Sequence, residues 1–486
     1  MEGPSRIDGV TAIRNAPQLI TYPDSLGGDI SRIADLLDGP LKGCFGGVHM
    51  LPPFPSSGDR GFAPIDYRTI DPRFGTWDDL ERIGGSHDLG LDLIVNHVSR
   101  RSAEFRDFER RGRASPYADL FLTLDKVWPG GEAHPADLAL VFRRRQRPYS
   151  EFRIGETGEI ERVWTTFGAD DPSEQVDIDV DSPIARSLLA DELALFARHG
   201  VRLVRLDAVG YVIKRRGTSC FMVEPDIHRF LDWLTSVAEP LGLELLTEVH
   251  GDVAMQRRLA HAGHWSYDFA LPGLVLHALL AGTTDRLLPH LRSAPSKVIT
   301  NLDSHDGIPI QPDLHGALSL DEARVVADAC LAAGGNLSRV FAREALPDPG
   351  FDAHQANCTY YAALGRDDDA YLLARAIQLF APGIPQVYYV GLLAGDNDPA
   401  AVTATGEGRA VNRHDYTASE IAADLERPVV RRLLELLRLR CAHPAFAGEL
   451  EISGDGTQLR LAWRSGNRAC TLDADLQSAR WDVEVN

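Results

Sequence analysis

Short apolar runs that stop on a polar residue recur down the chain: "QLITYPDS", "GGVHMLPPF", "LDLIVNH", "VRLVRLDA", "LELLTEVH", "WSYDFALP", "KVITNLDSHD" and "GIPQVYYVG". Stretches with helical periodicity separate them, among them "SPIARSLLADELALFARHG" (182–200), which opens on a serine cap and closes on glycine. Strands alternating with helices predict an α/β protein, and eight such strands fit one parallel (β/α)8 barrel.

Two connections are too long for the few residues of an ordinary strand-to-helix loop. The predicted barrel therefore carries inserted subdomains at 98–180, after the third strand, and at 307–370, between the seventh and eighth. Its own parts are then 1–97, 181–306 and 371–443. From 444 to 486, "ELEISGDGTQLRLAWRSGNRACTLDADLQSARWDVEV" alternates apolar and polar residues around "GDG" and "SGN" turns, which predicts a small antiparallel β domain.

The formal net charge of −20 over 486 residues excludes nucleic acid and anionic membrane as bulk partners, so any anion site has to be a local basic pocket. "FRRRQR" (142–147) is the obvious candidate for one. Six cysteines lie far apart with no C-x-x-C pair, which predicts reduced thiols in a cytoplasmic protein and no metal knuckle. The first residues, "MEGPSRIDGVTAIRNAPQ", lack the apolar core of a leader, and no run is long enough to span a membrane. Small molecules are the expected partners; oligomeric state cannot be read from the pattern.

In a parallel barrel the chemistry sits at the C-terminal strand ends, where this chain places Asp207, Glu248 and Asp306 together with His97, Arg205, His250 and His305. Any one of these carboxylates could simply cap the next helix. Three on one barrel mouth point instead to glycosidic bond cleavage, with one carboxylate attacking the anomeric carbon and a protonated one serving the leaving oxygen. No G-x-S-x-G elbow, phosphate-binding P-loop or H-E-x-x-H pair offers other chemistry.

"DLIVNH", "VRLDAVGY", "LLTEVH" and "LDSHDG" resemble, in order, the four short motifs of the α-amylase family. "ITYPDSLGG", "GDRGFAPIDY", "QVDIDVDS", "DFALPGLVLHAL", "PGIPQVYYVG" and "GRAVNRH" are similar to the sucrose phosphorylase group within it. The resemblance runs from about residue 17 to 443 and implies a retaining double displacement without metal or cofactor. Asp207 is then the expected nucleophile, Glu248 the acid/base and Asp306 the stabiliser of the glucosyl cation. Arg205, two residues before Asp207 on the same strand, is expected to keep the nucleophile ionised. The resemblance also implies a sugar site built from Asp59, Phe62, His97, Phe167, Gln175, Tyr211, His250, His305, Asp352, Gln355 and Arg413. The histidines could alternatively only order carboxylates, and the phenylalanines could be core.

Arg145 occupies the position of that group's phosphate-contacting arginine, with the other arginines of the run read as a solvated face. In "FDAHQANCTYY", His354 stands where members acting on unmodified sucrose usually carry tyrosine. With Arg145 and the basic segment Lys214–Arg216, this resembles the branch that cleaves sucrose 6'-phosphate, and a histidine can donate to a phosphoryl group; the basic segment could reach the acceptor rim but reads more simply as a run of surface charge. The expected reaction is phosphorolysis of sucrose 6'-phosphate to α-glucose 1-phosphate and fructose 6-phosphate. Plain sucrose, or a glucosylglycerol or glucosylglycerate substrate, is the alternative.

Overall fold

In a computed structural model that describes residues 13–339 and 350–486, the eight apolar runs form one closed barrel of parallel strands. These are β1 (Gln18–Thr21), β2 (Gly47–Met50), β3 (Asp88–Ile94), β4 (Val201–Asp207), β5 (Glu244–Thr247), β6 (Trp265–Asp268), β7 (Val298–Thr300) and β8 (Ile384–Tyr388). Chain neighbours are barrel neighbours throughout, and β8 closes onto β1. Residues 1–12, most of the stretch inspected for a leader, and 340–349 of the expected second insertion lie outside the described residues.

Strand β3 is buried at every position, as a sheet covered by helices outside and by packed side chains inside requires. The register pairs Asp92 with Arg205 and Ile94 with Asp207 across β3 and β4, and Leu206 with Thr247 across β4 and β5. Asp207 therefore ends its strand level with the top of β3, and Glu248, one residue past β5, donates its N–H to Leu206 O at 3.3 Å. Below this rim the barrel interior is a satisfied polar layer. His49 Nε2 meets Asp92 at 2.8 Å, and the Tyr267 hydroxyl donates to Gln386 Oε1 at 3.1 Å.

After β3 the chain leaves the barrel. His97–Ser99 pairs antiparallel with Gln175–Asp177, and between them lie short helices and a ribbon of Tyr149–Arg153 with Ile160–Trp164. Helix α1 (Pro183–Arg198) leads back to β4; Ser182 Oγ accepts from Ile184 N at 3.2 Å and Pro183 takes the first turn, where it loses no hydrogen bond.

After β7, Ile308–Pro309, Ala353–Asn357 and Asn336–Arg339 form a three-stranded antiparallel sheet, with helix α2 (Leu320–Ala332) between its strands in sequence. A Cβ on Gly307 would come within 2.8 Å of the Ala356 backbone, so only glycine lets the segment after Asp306 lie flat on this sheet. Helix α3 (Asp368–Phe380) precedes β8.

Strands β9 (Glu449–Asp455), β10 (Gln458–Ser465), β11 (Arg468–Asp475) and β12 (Arg480–Val485) form a four-stranded antiparallel sheet at the C-terminal end. It docks on the end of α3, where Trp463 Nε1 donates to Phe380 O at 2.8 Å. Among the described residues no helix is long and apolar enough to cross a membrane.

Candidate active site

The C-terminal ends of the strands open into a cavity with about 710 Å³ of empty space, mouth included, which is room for a disaccharide. Its floor carries Asp207 at the end of β4, Glu248 just past β5, and Asp306 in the loop after β7. The walls come from four segments. Asp59 and Phe62 follow β2, His97 leads from β3 into the first insertion, which supplies Phe167 and Gln175, Tyr211 follows β4, and His354 and Gln355 lie on the Ala353–Asn357 strand.

One guanidinium ties the floor together. Arg205, buried beneath it, lies 2.9 Å from Asp207 Oδ1 and 3.3 Å from Glu248 Oε1, and also contacts Asp92. Ala208 adopts a left-handed backbone (φ 55°), and its N–H donates to Glu248 Oε2 at 2.9 Å. Such a conformation for a residue with a side chain costs on the order of 1 kcal/mol, and here it turns the backbone beside the nucleophile candidate toward the second carboxylate.

Asp207 and Glu248 lie around one guanidinium, and the charge of each acts on the other. Burial and the neighbouring Glu248 push Asp207 well above the usual carboxylate range, and Arg205 pulls it back only in part. Burial also acts to raise Glu248, but Arg205 and His250 bring it down to about 2. Arg205 thus acts on Asp207 in the expected direction, favouring the ionised form, while burial and Glu248 oppose it. Burial would raise Asp306 too, yet Arg409, His305, His250 and Arg413 hold it well below its ordinary range.

The sugar-facing walls are ordered by neutral imidazoles. Burial pushes His305 down to about 3, and its ring stacks on Phe62 at 5.0 Å and 7°. Burial lowers His97 as well; its Nε2–H donates to Phe62 O at 2.9 Å, and Gln175 Nε2 donates to the same carbonyl at 3.3 Å. Phe167 packs between His97 and Tyr211, with centroids 5.4 and 5.1 Å away.

Four expected site residues lie off the cavity surface. Arg205 is beneath the floor. Arg413 is behind it, donating to His305 O at 2.7 Å, with its Nη2 3.9 Å from Asp306. Asp352 is buried and paired with Arg339.

Arg145, expected to contact phosphate, instead braces the first insertion. It donates to Thr165 Oγ1 at 3.0 Å, Asp170 O at 2.7 Å, Ser150 Oγ at 3.4 Å and Phe167 O at 3.4 Å. The arginine that reaches the cavity is Arg144, whose guanidinium contacts the Tyr211 hydroxyl. The described residues place no carboxylate within ion-pairing distance of Arg144.

The basic segment after β4 is not on the acceptor rim either. Lys214 is buried against Asp177 and Asn96 Oδ1 (2.7 Å), Arg215 pairs with Asp181 and Asp226, and Arg216 pairs with Asp137. His354 lines the cavity, but burial and the neighbouring Arg144 and His250 push its pKa well below the ordinary value. Its Nδ1–H donates to Gln311 O at 2.7 Å, so Nε2 is an acceptor in the empty site rather than the donor expected.

Arg409, Phe221 and the Ala208 backbone line the cavity without having been singled out beforehand. Arg409, 2.9 Å from Asp306, lies inside the "GRAVNRH" motif and could have been found there. Phe221 had no signal.

Glu248, His250 and Asp306 each bring one potential ligand atom within 4.8 Å of the others, the only such group among the described residues. Burial acts to lower His250, but Asp313 and Glu248 raise it to about 10.

The α-amylase catalytic-domain profile matches residues 9–268. The chain is 52% identical to sucrose 6(F)-phosphate phosphorylase of Thermoanaerobacterium thermosaccharolyticum, over 97% of each chain. It is 42% identical to glucosylglycerol phosphorylase of Marinobacter adhaerens, over 96% of this chain and 95% of that one. The crystal structure of sucrose 6F-phosphate phosphorylase from Thermoanaerobacter thermosaccharolyticum superposes with a TM-score of 0.96 at 51% identity, covering 98% of this chain and 97% of that one.

Proposed function

This chain belongs to the α-amylase family and to its sucrose phosphorylase group, and on that premise we propose that it is a cytoplasmic, retaining α-glucosyl phosphorylase of sucrose 6'-phosphate. The observation that carries the substrate is the wall opposite the three carboxylates. Arg144 from the first insertion and His354 from the second face one cavity, and the described residues give Arg144 no carboxylate partner of its own. A planar guanidinium suits a phosphoryl oxyanion. His354, with Nδ1–H committed to Gln311 O, accepts at Nε2 from the P–OH of a phosphate monoanion, or takes up a proton when a dianion arrives.

In the proposed reaction Asp207 attacks the anomeric carbon while Glu248 protonates the bridging oxygen, and fructose 6-phosphate leaves. Bound substrate sets an electrophilic carbon against Asp207 and a basic oxygen against Glu248, which favours the carboxylate form of the first and the acid form of the second. Inorganic phosphate then takes the glucosyl group from Asp207, which yields α-glucose 1-phosphate with net retention. Asp306, held ionised by Arg409, stabilises the cationic ring in both steps. The rings of Phe62, Phe167 and Tyr211 cover the sugar's apolar face and keep water out.

The test is kcat/KM for glucose 1-phosphate release from sucrose 6'-phosphate and from sucrose, with and without phosphate, with the product anomer read by NMR. The expected result is phosphate-dependent α anomer and a preference of about a hundredfold for the phosphorylated sugar, ~2.7 kcal/mol of discrimination. Equal rates on sucrose would remove the phosphoryl role of Arg144 and His354. Free glucose formed independently of phosphate would make the chain a hydrolase, and a β product would rule out double displacement.

A further inference from the structure

Asp313 is a fully buried carboxylate, contributed by the segment that follows Asp306. It bears on no step derived above, and a buried carboxylate is expensive unless paired and hydrogen-bonded. Its partners are specific. Oδ1 accepts from Gln256 Nε2 at 3.2 Å, and Oδ2 lies 3.1 Å from His250 Nδ1. Gln256 is pinned in turn, donating to Gly251 O at 2.8 Å and accepting from Phe269 N at 3.3 Å. Among the described residues His250 is the only cation within ion-pair distance of Asp313.

His250 is clamped on every side. Its ring stacks on Phe269 with centroids 4.2 Å apart, and its Nε2 lies 3.5 Å from Glu248 Oε1. The Gln355 side-chain amide meets the same Nε2 at 3.3 Å. With that amide turned so that Oε1 faces the ring, Nε2–H donates to it, which gives the otherwise unpartnered Gln355 Oε1 a donor. The other titratable neighbours are Asp306, which feels the His250 charge, and His354, 5.4 Å away and neutral.

We propose that Asp313 is a positioning residue that holds His250 as a cation on the acceptor side of Glu248, and that this charge lets inorganic phosphate, rather than water, accept the glucosyl group. The phosphate half of the proposal rests on the function proposed above. With Asp207 esterified, an entering phosphate still meets a cavity that carries Asp59, Glu248 and Asp306, so it needs local cations, and Arg144 and Arg409 are the other two among the lining residues described. Only His250 of the three touches Glu248, whose charge an incoming anion must pass. Because Asp313 sits on the second insertion and His250 follows β5, the pair also locks the acceptor loop to the acid/base.

Two measurements test this on the full chain. In the ligand-free protein, NMR titration of the His250 imidazole should show no deprotonation below pH 8.5, while Asp313→Asn should bring it below pH 7. A wild-type His250 titrating near its ordinary value overturns the proposal whatever the activity.

In steady-state phosphorolysis, Asp313→Asn should raise KM for phosphate at least tenfold and divert glucosyl groups to free glucose, with kcat at saturating phosphate falling less. The KM of the variant should climb as pH passes through the lowered histidine pKa, beyond phosphate's own ionisation seen in wild type. Asp313→Glu should restore both, and if the asparagine variant does not fold the titration of His250 in the wild-type chain decides the proposal. A folded variant with unchanged phosphate KM and partition, or one whose kcat and KM effects show no split, overturns the proposal. A wild-type chain that makes no glucose 1-phosphate sinks the phosphate role together with the function it rests on, and the titration then still decides the Asp313–His250 link.

Discussion

Replacing Arg144 by methionine separates the two neighbouring arginines that the sequence leaves equivalent. Arg144 faces the cavity, where it contacts the Tyr211 hydroxyl and has no carboxylate partner among the described residues, so its loss chiefly removes one charge-assisted contact to a phosphoryl group. Such a contact is worth about 1.5–3 kcal/mol, which predicts a fall of roughly 10- to 150-fold in kcat/KM for sucrose 6'-phosphate. Sucrose, which offers no phosphoryl group there, should lose no more than about threefold (~0.7 kcal/mol).

Arg145→Met makes the opposite prediction. Its guanidinium donates to four groups of the first insertion, so the half-exposed side chain should cost about 1–3 kcal/mol of stability and affect both substrates alike. The assay is glucose 1-phosphate release from each sugar, alongside urea midpoints of the three proteins. Selective loss of the phosphorylated substrate in Arg145→Met, with Arg144→Met indifferent to it, would refute the geometric assignment.

Two further changes test the scaffold. Lys214→Met should destabilise the chain by about 3–5 kcal/mol, because it strands the fully buried Asp177 carboxylate, and Asp177→Asn in the same chain should recover part of that. A loss below about 1 kcal/mol in urea unfolding would show that the pair is not the strut it is taken to be. Burial, with Asp66 beside it, raises Glu192 from 4.5 to about 7, so the folded chain binds this proton more tightly than the unfolded one. The resulting penalty is absent below the unfolded value, grows as pH rises from 4.5 to 7, and is complete above 7. Glu192→Gln should therefore gain about 3 kcal/mol over wild type at pH 8 and close to nothing at pH 4. An equal gain at both pH values would assign the effect to packing.

The barrel was legible because its signal is local. An apolar run that stops on a polar residue marks a strand and its C-terminal end at once, so Asp207, Glu248 and Asp306 could be placed on one rim before any contact was known. Much of the sugar wall was legible for a different reason: residues such as Phe62, His97 and Gln175 sit inside motifs long enough to be matched position by position.

What stayed hidden depends on contacts made far along the chain. In "FRRRQR" no strand or helix period says which arginine turns inward; the choice falls to Thr165 and Asp170, which capture Arg145 from 20 and 25 residues away and leave Arg144 to the cavity. Lys214 reads as surface charge until Asn96 and Asp177 close around it. The opposing pulls on Asp207, the lowered pKa of His354 and the raised pKa of His250 follow from burial and from partners such as Asp313, 63 residues beyond His250. By itself the sequence determined the strands, the rim and the kinds of side chain available to it. The tertiary structure decided which of those side chains face the substrate and which carry a proton, because desolvation and Coulomb energies depend on distances that no local pattern encodes.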